Sequence, residues 1–159
     1  MLLMGNRRPD DEDVYAQHLA DVARFACTLV SRDDAADVTV EAFLRVTASP
    51  AWERARNPRA LWMRAVVYEA RALHRSTRRR TERERRIAVA PGVVAAPEVG
   101  DPEVADALDQ LPVQQRAALV LTYWLDLDPA AVAEVLGVSE GSVRKHLARA
   151  RARLREVLA

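Results

Sequence analysis

The sequence predicts an all-α protein of two small helical domains joined by a flexible linker, on the basis of three observations. Apolar residues on both sides of residues 87–106 recur at intervals of three and four, which is the spacing of one helix face. Prolines and glycines interrupt residues 87–106 themselves, as is typical of a linker. The alternative, a short buried strand at 93–94, has no partner strand pattern elsewhere in the sequence. The predicted domains are residues 10–86 and 107–159.

The charges of the chain are sorted along the sequence although their sum is close to zero. There are 24 basic and 23 acidic side chains among 159 residues. Residues 1–50, 53–86, 98–134 and 135–159 carry net charges of −4, +8, −7 and +4. Two basic blocks among acidic ones indicate a protein that binds a polyanion in spite of its small total charge.

Several classes of protein are excluded at this point. The longest apolar runs are far shorter than the roughly 20 residues that span a bilayer, and the first residues lack the order of a signal peptide. A cytoplasmic location without membrane insertion is therefore predicted. The single cysteine, Cys27, excludes an internal disulfide, and the three histidines lack metal-ligand spacing. No metal, cofactor or small-molecule substrate is expected, and no acid/base pair or nucleophile indicates an enzyme.

The first domain is predicted to contain three helices. Tyr15 and Leu29 are the ends of one apolar stripe, which defines the first helix. The second is predicted to begin at Asp33, a good N-cap residue. The third opens at Asn57 and Pro58, where a cap precedes a proline at the first helical position, and it continues through residue 80.

An acidic stripe lies on the second predicted helix. It consists of Asp34, Asp37 and Glu41, at spacings of three and four. Because carboxylates are repelled by DNA, this face is expected to bind a basic protein partner. The alternative is a solvated helix face whose first carboxylates are favoured by the helix dipole.

The third predicted helix carries a basic stripe. Its members are Arg64, Arg71, Arg75 and Arg78, with Tyr68 between them. Guanidinium groups bind phosphates bidentately, and an aromatic ring offers a stacking surface for single strands. The alternative is that the arginines are merely solvated and that Tyr68 lies at the edge of the core. Trp52, which precedes this helix, is either an exposed base-stacking residue or a core anchor.

The second domain is predicted to end in a helix-turn-helix. Asp128 and Pro129 start a short helix, Gly137 ends it in a left-handed conformation, and Ser139 caps the next helix. In that helix an apolar stripe runs from Val143 to Leu154. The polar residues around it are Ser142, Arg144, Lys145, Arg149 and Arg151. An apolar stripe with a basic outer face is what a major-groove recognition helix requires, and the alternative is a solvated basic helix in a helical hairpin.

The order of these features resembles bacterial RNA polymerase sigma factors of the sigma-70 family, in particular the extracytoplasmic-function (ECF) group. Residues 107–116, with the sequence ALDQLPVQQR, and residues 138–154, VSEGSVRKHLARARARL, look like region four. Residues 33–46, DDAADVTVEAFLRV, look like the helix of region two that binds core polymerase. Residues 57–80 are similar to the helix that recognises and melts the minus-10 element. The resemblance covers nearly the whole chain.

The resemblance implies a role for each group of candidate residues. The acidic stripe would dock on the clamp helices of core polymerase. The basic stripe and Tyr68 would hold the minus-10 DNA, the loop from Trp52 to Asn57 would accept a flipped base, and residues 87–106 would thread the nucleic-acid channel. The polar face that includes Lys145 would contact the minus-35 duplex. We therefore predict an initiation factor without enzymatic activity, with core RNA polymerase, promoter DNA and an anti-sigma protein as expected partners. A stand-alone helix-turn-helix regulator and a sigma-like adaptor remain as alternatives.

Overall fold

The computed structural model describes residues 10–80 and 101–159, without the side chains of residues 77–80. These ranges form eight α-helices and no strand, which confirms the predicted all-α fold of two helical units. The first unit contains α1 (Asp11–Leu29), α2 (Arg32–Thr47), α3 (Pro50–Glu53) and α4 (Pro58–Arg80). The second contains α5 (Pro102–Asp109), α6 (Val113–Tyr123), α7 (Pro129–Leu136) and α8 (Glu140–Leu158). None of these helices is both long and apolar enough to cross a membrane.

An aromatic cluster forms the core of the first unit. Tyr15 of α1 packs edge-on against Phe43 of α2 and stacks on Trp62 of α4, at centroid distances of 4.9 and 5.5 Å. The indole N–H of Trp62 donates to the carbonyl oxygen of Thr39 at 3.0 Å. The cluster therefore joins α1, α2 and α4 through large apolar rings, and the polar edge of Trp62 is satisfied inside the core.

Two helices begin earlier than the sequence predicts. The N-cap of α2 is Ser31 rather than Asp33: its hydroxyl oxygen accepts the N–H of Asp34 at 3.4 Å and donates to the carboxylate of Asp34 at 2.9 Å. The helix α5 begins at Pro102, inside the predicted linker and before the expected domain start at residue 107. Asp101 caps it by accepting the N–H of Glu103 at 2.9 Å. Residues 81–100, which hold most of the predicted linker, lie outside the described residues.

The helix-turn-helix is built as predicted. The carboxylate of Asp128 accepts the N–H of Ala131 at 2.8 Å at the start of α7. Gly137 ends α7 at φ 67°, in the left-handed region that favours glycine. Ser139 starts α8 by accepting the N–H of Ser142 at 3.1 Å. Val143, Leu147 and Ala150 are buried and Leu154 is half-buried, so the predicted apolar stripe faces the core.

The two helical units pack directly against each other. α4 contacts α6 and α7, and α1 contacts α6. One continuous apolar core runs through both units. The sequence predicts the two units but gives no indication that they share a core.

Candidate nucleic-acid and protein interfaces

The basic stripe of α4 lies on the surface of that helix. Arg64, Arg71 and Arg75 are exposed, whereas Trp62 and Val66 on the other side of the helix are completely buried. Helical periodicity therefore sorts the two sets of residues onto opposite faces as predicted. The side chain of Arg78 lies outside the described residues, so its place in the stripe stays a prediction.

Tyr68 is on the surface beside this stripe. Its side chain is 52% exposed, and the guanidinium of Arg45 lies 4.8 Å from the centre of its ring. Arg45 also forms an ion pair with Glu69 at 2.6 Å, which explains an acidic residue next to the basic stripe. The position of Tyr68 favours the stacking interpretation over a place at the edge of the core.

Trp52 lies in the core of the first unit. It is only 1% exposed, and its indole N–H donates to the carboxylate of Asp11 at 2.7 Å. Its ring packs edge-on against Phe43 at a centroid distance of 5.9 Å. Of the two interpretations of Trp52, its burial favours the core anchor, because the short helix α3 turns the indole into the core.

Asn57 marks the start of α4. Its side-chain carbonyl accepts the N–H of Ala60 at 3.1 Å, which is the N-cap interaction the sequence predicts. The residue itself is exposed. Its predicted contact with DNA stays a prediction, and its capping bond fixes where α4 begins.

The basic stripe faces the second helical unit. The guanidinium of Arg64 donates twice to the carbonyl oxygen of Glu134 in α7, at 3.1 and 2.6 Å. Arg71 and Arg75 line a cavity of about 710 Å³ together with Arg153 of α8 and the turn between α5 and α6. The residues predicted to hold the minus-10 strand therefore lie beside the boundary between the two units.

The outer side of α8 is basic and accessible. Arg144, Lys145 and Arg149 are exposed, and Ser142 is half-buried at the capped start of the helix. His146 on the same helix is half-buried. Burial, followed by the positive charges of Arg149 and Arg71, lowers the pKa of His146 below its usual value. The neutral form of the imidazole is therefore favoured at this position.

Arg151 is held against the end of α6. It donates a hydrogen bond to the hydroxyl of Tyr123, and its guanidinium lies 5.5 Å from the centre of the tyrosine ring. Tyr123 and the neighbouring Trp124 are 53% and 46% exposed. The guanidinium of Arg151 is therefore already oriented by a neighbouring ring, while its predicted contact with DNA stays a prediction.

The acidic stripe of α2 is part of a mixed acidic and apolar face. Asp37 and Glu41 are exposed, and Val40 and Leu44 beside them are 42% and 51% exposed. These four residues follow the i, i+3, i+4, i+7 spacing of one helix face. Exposed apolar residues within a polar rim are typical of a protein-binding surface. Asp34 is half-buried and bonded to Ser31 at the helix start, and its predicted contact with polymerase stays a prediction. Sequence reasoning missed Val40 and Leu44, although they follow the same helical spacing as the carboxylates.

Arg116 was also missed, and it is a buried charged residue with four backbone partners. It is 4% exposed, and its side chain extends from α6 to the carboxyl end of α1. One terminal nitrogen donates to Thr28 O and Leu29 O at 3.3 Å each, and the other to Asp109 O at 2.7 Å and Leu111 O at 3.0 Å. Burial lowers its pKa, and the carboxylate of Asp109 at 3.7 Å opposes that shift. The sequence signal that could have identified Arg116 is that it is the one basic residue in the acidic block 98–134.

These surfaces have the form of binding sites. Among residues 10–80 and 101–159 no group of histidine, cysteine or acidic side chains could hold a metal ion. The described residues instead include an acidic and apolar helix face, an arginine stripe, and a helix-turn-helix whose last helix has a basic outer side. Each suits a macromolecular partner with an extended surface.

Comparison with known proteins adds a family context. The sigma-70 region 4 family model matches residues 102–154. The ECF RNA polymerase sigma factor SigC of Mycobacterium tuberculosis is 35% identical over 136 residues, which are 82% of this chain and 74% of SigC. The factor SigM of the same species is 49% identical over 55 residues, which are 35% of this chain and 28% of SigM.

Two solved structures have a similar fold. The sigma factor RpoE from Bartonella quintana, in complex with the anti-sigma factor NepR, superposes with a TM-score of 0.70 and 22% identity, over 95% of this chain and 98% of that one. CnrH, in complex with the cytosolic domain of CnrY, superposes with a TM-score of 0.65 and 23% identity, over 96% of this chain and 90% of that one. Both similarities concern the fold.

Proposed function

Because the chain belongs to the ECF group of the sigma-70 family, we propose that it acts as a transcription initiation factor that binds core RNA polymerase and directs it to specific promoters. The observation that carries this proposal is the similarity to SigC, which extends over 82% of this chain. The capped helix-turn-helix and the basic outer side of α8 support it. The factor acts by binding, and the polymerase supplies the catalysis. Promoter binding places this function in the cytoplasm.

The decisive experiment is transcription with purified components. Core RNA polymerase and this chain are combined on promoter fragments found by sequencing the transcripts made when the chain is overproduced. We expect transcripts from defined start sites that require both components. A stand-alone regulator or an adaptor would give no such transcript, and that result would refute the proposal.

We assign polymerase binding to the mixed face of α2. Its carboxylates suit a basic partner surface, and the exposed Val40 and Leu44 provide apolar area that becomes buried on binding. This face lies in the first helical unit, on a helix other than the one that carries the basic stripe, so DNA and polymerase can be bound at the same time.

The double variant Asp37→Arg, Glu41→Arg should lose polymerase binding. Reversing two charges at the centre of a charged interface is expected to cost at least about 3 kcal/mol, or roughly 100-fold in Kd. Affinity is measured by fluorescence anisotropy with labelled chain and core polymerase. The matched control, Glu12→Arg with Asp13→Arg, makes the same change of charge at exposed positions of α1 and should bind normally. Equal losses in the two variants would show that net charge, not this face, governs binding.

We assign the minus-10 strand to the stripe on α4. Its guanidinium groups are spaced along one helix face and can follow the phosphates of a single strand, and the exposed ring of Tyr68 can stack on an unpaired base. Arg64, Arg71, Arg75 and Asn57 complete this surface, with Arg78 as its predicted continuation.

We assign the minus-35 duplex to the outer side of α8, and Lys145 provides the sharpest test. Lys145→Ala should weaken binding to the upstream duplex. If the ammonium group contacts a base, discrimination at one base pair should relax by about 1–3 kcal/mol. The measurement compares the Kd of wild type and variant for duplexes in which each base pair is changed in turn. A uniform loss over all duplexes would identify Lys145 as a phosphate contact, and no loss would remove it from the interface.

A protein inhibitor is a further expected partner. The sigma factor RpoE was solved in complex with an anti-sigma factor, and CnrH with the cytosolic domain of CnrY. We propose that this chain likewise binds a partner of the anti-sigma class, which can be tested by mass spectrometry of complexes purified with the tagged chain.

A further inference from the structure

We infer that Arg45 and Glu69 are positioning residues for base binding: Glu69 holds the guanidinium of Arg45 against one face of the Tyr68 ring, and the other face receives an unpaired base. The inference rests on the proposed function, in which Tyr68 stacks on a base of the minus-10 strand. It extends the strand-binding surface from α4 to a residue of α2, the helix to which polymerase binding is assigned. Neither Arg45 nor Glu69 belongs to the basic stripe.

The first observation is the pair of contacts that Arg45 makes. Its Nε atom lies 2.6 Å from a carboxylate oxygen of Glu69, and the central carbon of its guanidinium lies 4.8 Å from the centre of the Tyr68 ring. A cation at such a distance over an aromatic face is attracted by the ring. The side chain of Arg45 is 57% exposed, so these two contacts, rather than burial, orient it.

The second observation is that the Tyr68 ring remains accessible. The residue is 52% exposed although the guanidinium lies over one face of the ring. Because an aromatic ring has two faces, a base can stack on the face that Arg45 does not cover. A ring that is already oriented loses less conformational freedom when the base binds. The contact with Arg45 therefore favours stacking before any strand is present.

The third observation concerns charge. Glu69 follows Tyr68 directly and places a carboxylate beside a surface proposed to hold phosphates. Arg64 and Arg71 lie four residues before and three residues after Tyr68, spacings at which side chains are neighbours on a helix. The ion pair with Arg45 offsets the charge of Glu69. A strand whose phosphates lie on Arg64 and Arg71 is therefore repelled less by this carboxylate.

Two single strands distinguish base binding from phosphate binding. Both carry fluorescein and are about 12 nucleotides long, a length that one single-strand-binding domain can cover. One has a mixed sequence, and the other consists of abasic units with the same number of phosphates. The Kd of the full-length chain for each is measured by fluorescence anisotropy. We define the base preference as the Kd for the abasic strand divided by the Kd for the mixed strand, a ratio in which general effects of charge cancel.

The base preference should fall by about three- to tenfold in Arg45→Met and by about two- to threefold in Glu69→Gln. In the Tyr68→Ala background, Arg45→Met should change it by less than about twofold, because Arg45 acts through the ring. Arg24→Met and Glu12→Gln make the same changes of charge at exposed positions of α1 and should leave it unchanged. Circular dichroism verifies that each variant is folded.

Glu69→Gln gives the sharpest result, because two effects have opposite signs. Removing a carboxylate beside the strand reduces repulsion of the phosphates, so binding of the abasic strand should not weaken. The base preference should nevertheless fall, since the guanidinium of Arg45 loses its charged partner. A carboxylate that acts only by its charge would alter the affinity for both strands by the same factor.

An unchanged base preference in Arg45→Met or in Glu69→Gln would overturn the inference. An equal effect of Arg45→Met with and without the Tyr68 ring would overturn it too, as would a wild-type chain without base preference. The proposed function is tested separately, by promoter-dependent transcription with core polymerase. If the wild-type chain supports transcription but the variants keep the base preference, the inference alone is wrong. If no transcript forms, the proposed function fails, and the base preference, which is measured without polymerase, still decides whether Arg45 and Glu69 position the ring.

Discussion

Replacing Arg116 with methionine is expected to lower the free energy of unfolding by about 3–5 kcal/mol. The methionine fills part of the volume of the guanidinium side chain but donates no hydrogen bond. The carbonyl oxygens of Thr28, Leu29, Asp109 and Leu111 would lose a charged donor in a buried place. For a domain with an ordinary stability of about 5–15 kcal/mol, such a loss is a large fraction of the total.

Chemical denaturation followed by circular dichroism measures this effect. Arg116→Lys keeps the charge but replaces the planar fork by a single ammonium group, so its loss should be intermediate. Arg59→Met is the matched control, because Arg59 pairs with Asp21 at 3.9 Å on the surface and should change stability by no more than about 1 kcal/mol. If Arg116→Met and Arg59→Met had similar stabilities, the network around Arg116 would contribute little to the fold.

The network around Arg116 also indicates why the sequence predicts some features and misses others. Asp128, Gly137 and Ser139 act on backbone groups within a few residues, so the helix-turn-helix follows from local chemistry. The bonds from Arg116 to Thr28 and Leu29 join residues far apart in the sequence. No local pattern encodes such a contact, so neither these bonds nor the shared core could be predicted.

The helix boundaries that differ from the predictions are cases of competing local signals. Ser31 and Asp33 are both good N-cap residues, and the pair of bonds between Ser31 and Asp34 favours the earlier start. Pro102 can end a linker or begin a helix, and the cap from Asp101 decides for the helix. The sequence contains both options, and the energies that choose between them are of the order of one hydrogen bond.

The same distinction between local and long-range information applies to the candidate site. Spacing alone places Arg64, Arg71 and Arg75 on one face of α4, because helical periodicity is local. Whether that face meets solvent or another part of the chain depends on tertiary packing. Trp52 illustrates the same limit, since an indole in a turn can point inward or outward, and only the position of Phe43 and Asp11 decides.

The burial of Trp52 leads to the second large expected effect. Trp52→Ala should destabilise the chain by about 3–5 kcal/mol, because it removes a fully buried indole and leaves a cavity beside Phe43. Trp52→Phe should cost about 1–3 kcal/mol, since it preserves much of the packing but removes the donor to the carboxylate of Asp11. Both values are measured by chemical denaturation.

Tyr68→Ala is the matched comparison that separates a core role from a strand-binding role. Its ring is half exposed, so its removal should change stability by less than about 1 kcal/mol and should weaken binding of a single strand by about 1–3 kcal/mol. Trp52→Phe should show the opposite pattern, with lower stability and unchanged strand affinity under conditions where the variant is folded. A folded Trp52→Phe protein with normal stability and weakened strand binding would contradict this assignment. That combination would indicate that the indole leaves the core and contacts a base.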